Sequence, residues 1–190
     1  MNGVPPVDSS SGPSVSVSAQ VPDWTRERCG WFEWKPGAQL VRSIRRYQAA
    51  CRLPRPVRFF LKPLAVLRHR FWSVVSGADV PTNVSIGGGL VLLHPNGVVI
   101  HSRATIGPNC LIFQQVTLGT DRRGGVPAVG GHVDIGAGAK LIGGIRVGDH
   151  AQIGANAVVL CDVPEGGVAV GVPAKVLTKP SPSSIGVKNP

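Results

Sequence analysis

The fold is decided by residues 129–159, which read VGGHVDIGAGAKLIGGIRVGDHAQIGANAVV. An aliphatic residue stands at every sixth position of this stretch, and a small or aliphatic residue follows most of these anchors four positions later. With two interruptions, the period extends over thirteen anchors: Val80, Ile86, Leu92, Ile100, Ile106, Ile112, Leu118, Val129, Ile135, Leu141, Val147, Ile153 and Val159. A six-residue unit fits a short strand and a sharp corner, so three units make one triangular coil. The pattern predicts an all-β parallel β-helix built from hexapeptide repeats.

The two interruptions predict loops that leave the coil. The first is His94-Pro95-Asn96-Gly97, and the second lies within residues 120–128, where Arg122 and Arg123 stand. Loops on a rigid scaffold tend to carry function. His94 is the candidate general base, because an imidazole titrates near neutral pH.

The residues on either side of the repeat lack its six-residue period, so the sequence divides into four parts. We expect a disordered tail over residues 1–22, a short helical region over 23–79, the β-helix over 80–178 and a flexible tail over 179–190. The first predicted helix has its apolar face at Leu40, Ile44, Tyr47 and Cys51, and prolines at 54 and 56 end it. The second has its apolar face at Phe60, Leu64, Leu67, Phe71 and Val74, with Pro63 in its first turns.

Charge and cysteine content limit the function classes. The formal net charge is +10, and twelve of the 20 Lys and Arg residues fall between Arg26 and Arg70. We expect no nucleic-acid partner, because the repeat offers no aromatic platform for base stacking. A solvated or partner-binding basic face and peripheral attachment to an anionic membrane both remain open. The four cysteines lack CxxC spacing and read as scattered buried thiols, so we expect no metal site and a cytoplasmic location.

The repeat region resembles the serine acetyltransferase family of left-handed β-helix acyltransferases. The resemblance covers about residues 80–177, and it is carried by LLHPNGVVI at 92–100, QQVTLGT at 114–120, IGAGAK at 135–140, IGANAVV at 153–159 and VGVPAKV at 170–176. It implies a left-handed β-helix, a homotrimer and acetyl-CoA bound as co-substrate between the β-helices of neighbouring subunits. It also implies that His94 deprotonates a small hydroxyl acceptor, and that the cofactor lies against Gly119, Ala137, Ala139, Ala155, Ala157, Ala174 and Lys175.

The sequence departs from that family at two places near the implied site. Many members have an aspartate directly before the loop histidine, where this chain has Leu93. The second loop of the family carries Arg-His before a proline, where this chain has Gly125-Val126. The arginine binds the carboxylate of serine, and Arg122 or Arg123 is the candidate replacement. The resemblance therefore favours serine O-acetylation, the step that leads to cysteine. A sugar or exopolysaccharide hydroxyl is the alternative acceptor, and a non-catalytic β-helix scaffold is the alternative of another class.

Overall fold

The computed structural model describes residues 17–30 and 33–177. A short 3-10 turn (Trp24–Glu27) precedes two helices, α1 (Pro36–Arg52) and α2 (Arg55–Ser76), and fourteen short strands follow. Residues 1–16 of the predicted N-terminal tail and all of the predicted tail 179–190 lie outside the described residues. No helix in the described ranges is long and apolar enough to cross a membrane.

The strands form three parallel sheets that wrap into a β-helix, which confirms the predicted fold class. Sheet 1 contains β1 (Ser85–Ile86), β4 (Thr105–Ile106), β7 (Ala128–Val129) and β10 (Arg146–Val147). Sheet 2 contains β2 (Val91–Leu92), β5 (Leu111–Ile112), β8 (Asp134–Ile135), β11 (Gln152–Ile153) and β13 (Val168–Val170), with β14 (Lys175–Leu177) added antiparallel at its end. Sheet 3 contains β3 (Val99–Ile100), β6 (Thr117–Gly119), β9 (Lys140–Ile142) and β12 (Val158–Val159).

The chain passes from sheet 1 to sheet 2 to sheet 3 in every coil, so the prism has three edges. The N-terminal edge joins sheets 1 and 2, the His94 edge joins sheets 2 and 3, and the loop edge joins sheets 3 and 1. All thirteen sequence anchors point inward and are at most 9% exposed. The aliphatic and small residues four positions after the anchors are buried as well, from Val84 to Val163. Burial of these stacked side chains supplies the main stabilisation of the coil.

The two helices differ in what their apolar faces contact. In α1, Leu40 and Ile44 are fully buried in the same core cluster as the first coil, as the sequence predicts. In α2, the buried residues are Ala65 and Ser76, whereas the predicted apolar face lies outward. Pro63 lies inside α2 and not in its first turns, because the helix already begins at Arg55.

Residues 17–22 lie against the N-terminal edge, although the sequence assigned them to a disordered tail. The buried side chain of Asn109 donates from Nδ2 to the carbonyl oxygens of Ser18 and Val21, at 2.7 and 2.8 Å, and its Oδ1 accepts from the Asp23 amide at 2.7 Å. A Cβ on Gly131 would lie only 1.8 Å from the Ala19 carbonyl oxygen, so the absence of a side chain there lets the segment approach. Composition alone misses this, because the bonds come from a repeat residue 86 or more positions away.

An ion pair ties this segment and α1 to the first coil. Arg45 Nη2 lies 2.9 Å from Glu27 Oε1, and Arg45 Nη1 donates to the Ile86 carbonyl oxygen at 2.7 Å. Glu27 Oε1 also accepts from the Gly89 amide at 2.8 Å. The two side chains therefore provide hydrogen-bond partners for main-chain groups at the corner where the first coil begins.

Candidate active site

The His94 edge stacks equivalent positions of successive coils above one another. The pairing of Leu92 with Ile112, of Ile112 with Ile135 and of Ile135 with Ile153 fixes this register. Two residues after Ile112, Ile135 and Ile153 come Gln114, Ala137 and Ala155, which form one column along the edge. The longer loop that carries His94 lies above this column, where the Gln115 amide bonds to the Asn96 carbonyl oxygen at 2.8 Å. Each coil advances by about 4.8 Å, so roughly 14 Å separate the level of His94 from that of Ala155.

The loop that carries His94 is two residues longer than the corners beneath it. Six residues separate Leu92 from Val99, but only four separate the paired residues Ile112 and Thr117. The loop is closed by a bond from the Val98 amide to the Pro95 carbonyl oxygen at 3.1 Å, and Gly97, at φ +67°, bonds to the Gly77 carbonyl oxygen at 2.8 Å. The His94 side chain is exposed, and none of the described residues hydrogen-bonds its imidazole.

A groove of about 610 Å³ lies beside His94. One wall is residues 90–96 of the first coil, and the other is formed by the chain before α1 and by the start of that helix, with Val75 and Ser76 at the end of α2 beside them. That second wall brings the cationic side chains of Arg26, Arg28 and Lys35 to the groove, together with Trp34, whose side chain is 73% exposed. No Asp or Glu is among the described residues that line the groove.

Arg122 and Arg123 lie on the loop edge, not beside His94. Nine residues separate Leu118 from Ala128, where four separate Ile100 from Thr105 one coil earlier, so this corner also bulges outward. The carboxylate of Asp121 accepts from the amides of Arg123 and Gly125, both at 2.9 Å, which shapes the turn. Both arginine side chains are exposed. Within one chain, sheet 3 separates them from the His94 edge.

Comparisons with known proteins agree with this architecture. The chain is 46% identical over 108 residues to the serine acetyltransferase of Helicobacter pylori, a match that covers 55% of this chain and 63% of that protein. Among solved structures, soybean serine acetyltransferase complexed with serine matches with a TM-score of 0.66 and 34% identity, covering 76% of this chain and 58% of that one. A serine acetyltransferase in complex with CoA matches with a TM-score of 0.64 and 35% identity over 76% of this chain and 58% of that one.

The repeat domain is similar to the corresponding part of the serine acetyltransferases. A comparison with models of protein families finds no match to the chain. The chain spans less than two thirds of the length of each of the three serine acetyltransferases just described. The resemblance drawn from the sequence motifs is confirmed at the level of this domain.

The residues that the serine acetyltransferase pattern assigns to the cofactor fall into three groups. Ala137, Ala155 and Ala174 lie on or next to the His94 edge, and Lys175 is exposed on β14. Gly119 lies at the far side of sheet 3, next to the loop edge. Ala139 and Ala157 are 0% exposed inside the prism, and their amides and carbonyl oxygens are all engaged in main-chain hydrogen bonds. These two alanines are core residues without a surface for a ligand.

The two departures from the serine acetyltransferase pattern are visible at the surface. Leu93 is half exposed and offers no charged group to orient the neighbouring imidazole. Gly125 and Val126 are half-buried, and a Cβ on Gly125 would lie 2.4 Å from the Gly144 amide nitrogen. A bulky residue at position 125 is therefore excluded by the next coil.

Two features of the site are absent from the sequence prediction. Gln114 lies beneath the loop that carries His94, and its buried Oε1 has no hydrogen-bond partner among the described residues. Gln114 stands two positions after the anchor Ile112, as Ala137 does after the anchor Ile135, so the repeat in the sequence locates it. The second feature is the cationic wall of the groove, which no sequence signal locates because it depends on how the segment before α1 folds back.

The charged and thiol groups of the described ranges form no metal centre. No cluster of three or more His, Cys, Asp or Glu residues capable of holding a metal ion occurs within 17–30 and 33–177.

Proposed function

We propose that this chain is an acetyl-CoA-dependent O-acetyltransferase in which His94 is the general base. One observation carries the proposal: an exposed imidazole, with no hydrogen-bond partner among the described residues, is held in the inserted loop above a column that continues into Ala137 and Ala155. The small side chains leave the edge open to an extended thioester ligand, and the similarity to a serine acetyltransferase solved with CoA supports this assignment. The proposed cofactor surface also includes Ala174, Lys175 and, in a homotrimer, Gly119 of a neighbouring copy.

The reaction follows from the position of the imidazole. His94 takes the proton of the acceptor hydroxyl as its oxygen attacks the thioester carbonyl of acetyl-CoA. The tetrahedral oxyanion collapses to the acetyl ester, and the departing CoA thiolate takes the proton from the imidazolium. General base catalysis of this kind contributes roughly 10²–10⁴-fold to the rate.

L-Serine is the first acceptor to consider, because related chains carry the name serine acetyltransferase and one was solved with serine. With serine as acceptor, the product would enter cysteine biosynthesis. The enzyme would then act in the cytoplasm, where acetyl-CoA is supplied.

A second candidate acceptor is a sugar hydroxyl on an anionic saccharide. The groove beside His94 favours it, since Arg28 offers a cation to an anionic group and Trp34 offers an exposed ring face to a sugar. The ammonium group of serine would meet no carboxylate among the described lining residues. Serine and an anionic saccharide are thus two chemically distinct acceptors for the same catalytic base.

We further propose a homotrimer. The two loops that interrupt the repeat lie on different edges of one prism, and a neighbouring copy can bring its loop edge against the His94 edge. Cyclic assembly of this kind makes each site from two chains. Arg122 and Arg123 of a neighbour would then face the acceptor groove.

The test is to mix the protein with acetyl-CoA and each acceptor in turn and to follow free thiol release. We expect thiol release with serine or with an acidic saccharide, and a loss of at least about 100-fold in kcat for His94→Ala. His132→Ala, at a partly exposed histidine on the N-terminal edge, is the matched control and should keep full activity. No turnover with any acceptor would favour a binding scaffold, and an active His94→Ala variant would remove this residue from the mechanism.

A further inference from the structure

The outward face of α2 is apolar along its whole length. Its side chains are between 57% and 82% exposed, and they are Phe60, Leu64, Leu67, Phe71 and Val74, which we call the α2 stripe. They recur at intervals of three or four residues, so they lie on one side of the helix over about 21 Å. Contiguous apolar patches of this kind on a protein surface mark interaction sites.

The rest of the described chain cannot cover the stripe. The opposite side of α2 is fixed to α1 and the first coil, where Ala65 and Ser76 are buried and the Ser43 hydroxyl lies 3.1 Å from His69 Nδ1. Turning α2 to bury the stripe would expose those groups. The stripe is therefore an outer surface of the part of the chain that the structure describes.

The charge around the stripe is of one sign. Four arginines lie in α1 and five basic residues lie in α2, and neither helix contains an Asp or a Glu: Arg42, Arg45, Arg46, Arg52, Arg55, Arg58, Lys62, Arg68 and Arg70. Arg45 is paired with Glu27, but Arg55, Lys62 and Arg70 are exposed on α2 itself. A second copy docked through this face would bring two positive surfaces together, which disfavours self-association.

We propose that the α2 stripe binds the surface of a bilayer that contains anionic phospholipids. The five apolar side chains would enter the boundary between headgroups and acyl chains, while the surrounding arginines and lysine contact the negatively charged headgroups. Such a helix lies in the interface and does not span it. The proposal holds whether or not the chain transfers acetyl groups.

The test is co-sedimentation of the full chain with vesicles of phosphatidylcholine alone or with phosphatidylserine added. We expect binding to the anionic vesicles only, weakened by salt because surface charge attraction is screened. Leu64→Gln combined with Leu67→Gln should reduce the bound fraction at least about tenfold. The matched control is Leu160→Gln combined with Val172→Gln, two apolar residues that are equally exposed on the β-helix, and it should bind like the unchanged chain.

Charge is tested separately with Arg70→Glu, which should weaken vesicle binding by about tenfold, whereas Arg146→Glu on exposed β10 should not. All these positions are exposed, so unchanged thermal melting should accompany each variant.

Equal binding to neutral vesicles, no binding at all, or binding unaffected by the α2 substitutions would overturn the proposal. So would a shift in assembly size caused by the stripe variant, or tighter retention on duplex DNA than on vesicles. Thiol release from acetyl-CoA with a soluble acceptor should stay constant, which separates this proposal from that of the catalytic function.

Discussion

His94 and Arg123 lie on different edges of the β-helix, with sheet 3 between them. Each stands on a loop that is longer than the corresponding corner of the neighbouring coil. Strong curvature of the coil keeps the two loops apart in one chain, because each corner turns the backbone away from the previous face. A site that uses both residues must therefore be shared between two copies.

Mixed assemblies test this sharing directly. We expect His94→Ala and the double variant Arg122→Ala, Arg123→Ala each to lose activity alone. Chains of the two kinds, refolded together in equal amounts, should regain about a quarter of the activity of the unchanged protein, because one interface in four then joins two intact loops. The assay is thiol release from acetyl-CoA. Full activity of the arginine variant alone, or no recovery on mixing, would contradict a shared site.

The partly buried Glu27–Arg45 pair should contribute measurably to stability. Glu27→Ala removes the charge partner of Arg45 and the acceptor of the Gly89 and Leu90 amides, which are bonded at 2.8 and 3.2 Å. We expect the free energy of unfolding in urea to fall by about 2–3 kcal/mol. Glu33→Ala is the matched control, since Glu33 pairs with Lys35 at the surface and its loss should leave the urea midpoint unchanged.

His69 should make the stability of the helical region depend on pH. Burial lowers the pKa of His69 below its ordinary value, and the Asp79 charge and the bond to Val80 offset only part of this effect. The unfolded chain therefore takes up a proton at a higher pH than the folded chain does. Stability is complete above pH about 6.5 and falls as the pH drops below that value towards the lowered folded pKa.

The measurement is the urea midpoint at pH 7.5 and at pH 5.5 for the unchanged chain and for His69→Gln. The variant removes the titrating group but keeps a polar partner for the Ser43 hydroxyl. We expect the drop in midpoint between the two pH values to be smaller in the variant. An identical drop in both proteins would assign the pH dependence to other histidines.

The four cysteines should differ in reactivity. The sequence suggested scattered buried thiols, but Cys110 alone is buried, Cys29 and Cys51 are half-buried and Cys161 is exposed. Burial raises the pKa of the Cys110 thiol to about 11, so little thiolate forms at neutral pH. In native protein at pH 8, we expect maleimide to label Cys161 within minutes and Cys110 only after denaturation. Peptide mass spectrometry checks this, and rapid native labelling of Cys110 would show that the coil opens locally.

Much of the site could be predicted from the repeat register. Once the six-residue period is established, the two-residue slip at His94 marks the first loop, and the spacing of Ala137 and Ala155 places them in the same column. The register also shows that Ala139 and Ala157 stand four positions after an anchor, where every other aliphatic or small residue is buried. Family motifs assigned them to the cofactor, but the periodicity argues for the core, and the structure agrees with the periodicity.

The sequence by itself determined the solenoid, because each anchor makes contacts with its equivalents one coil away, and a local period is enough to specify that stacking. It also determined that α1 and α2 are amphipathic helices. Only the tertiary structure decided which side of each helix is covered. The apolar face of α1 meets the first coil, and α2 packs with Ala65 and Ser76 buried, so its larger apolar face stays exposed in the part of the chain that the structure describes. The groove beside His94 and the binding of residues 17–22 by Asn109 likewise depend on contacts between distant segments, which no local pattern encodes.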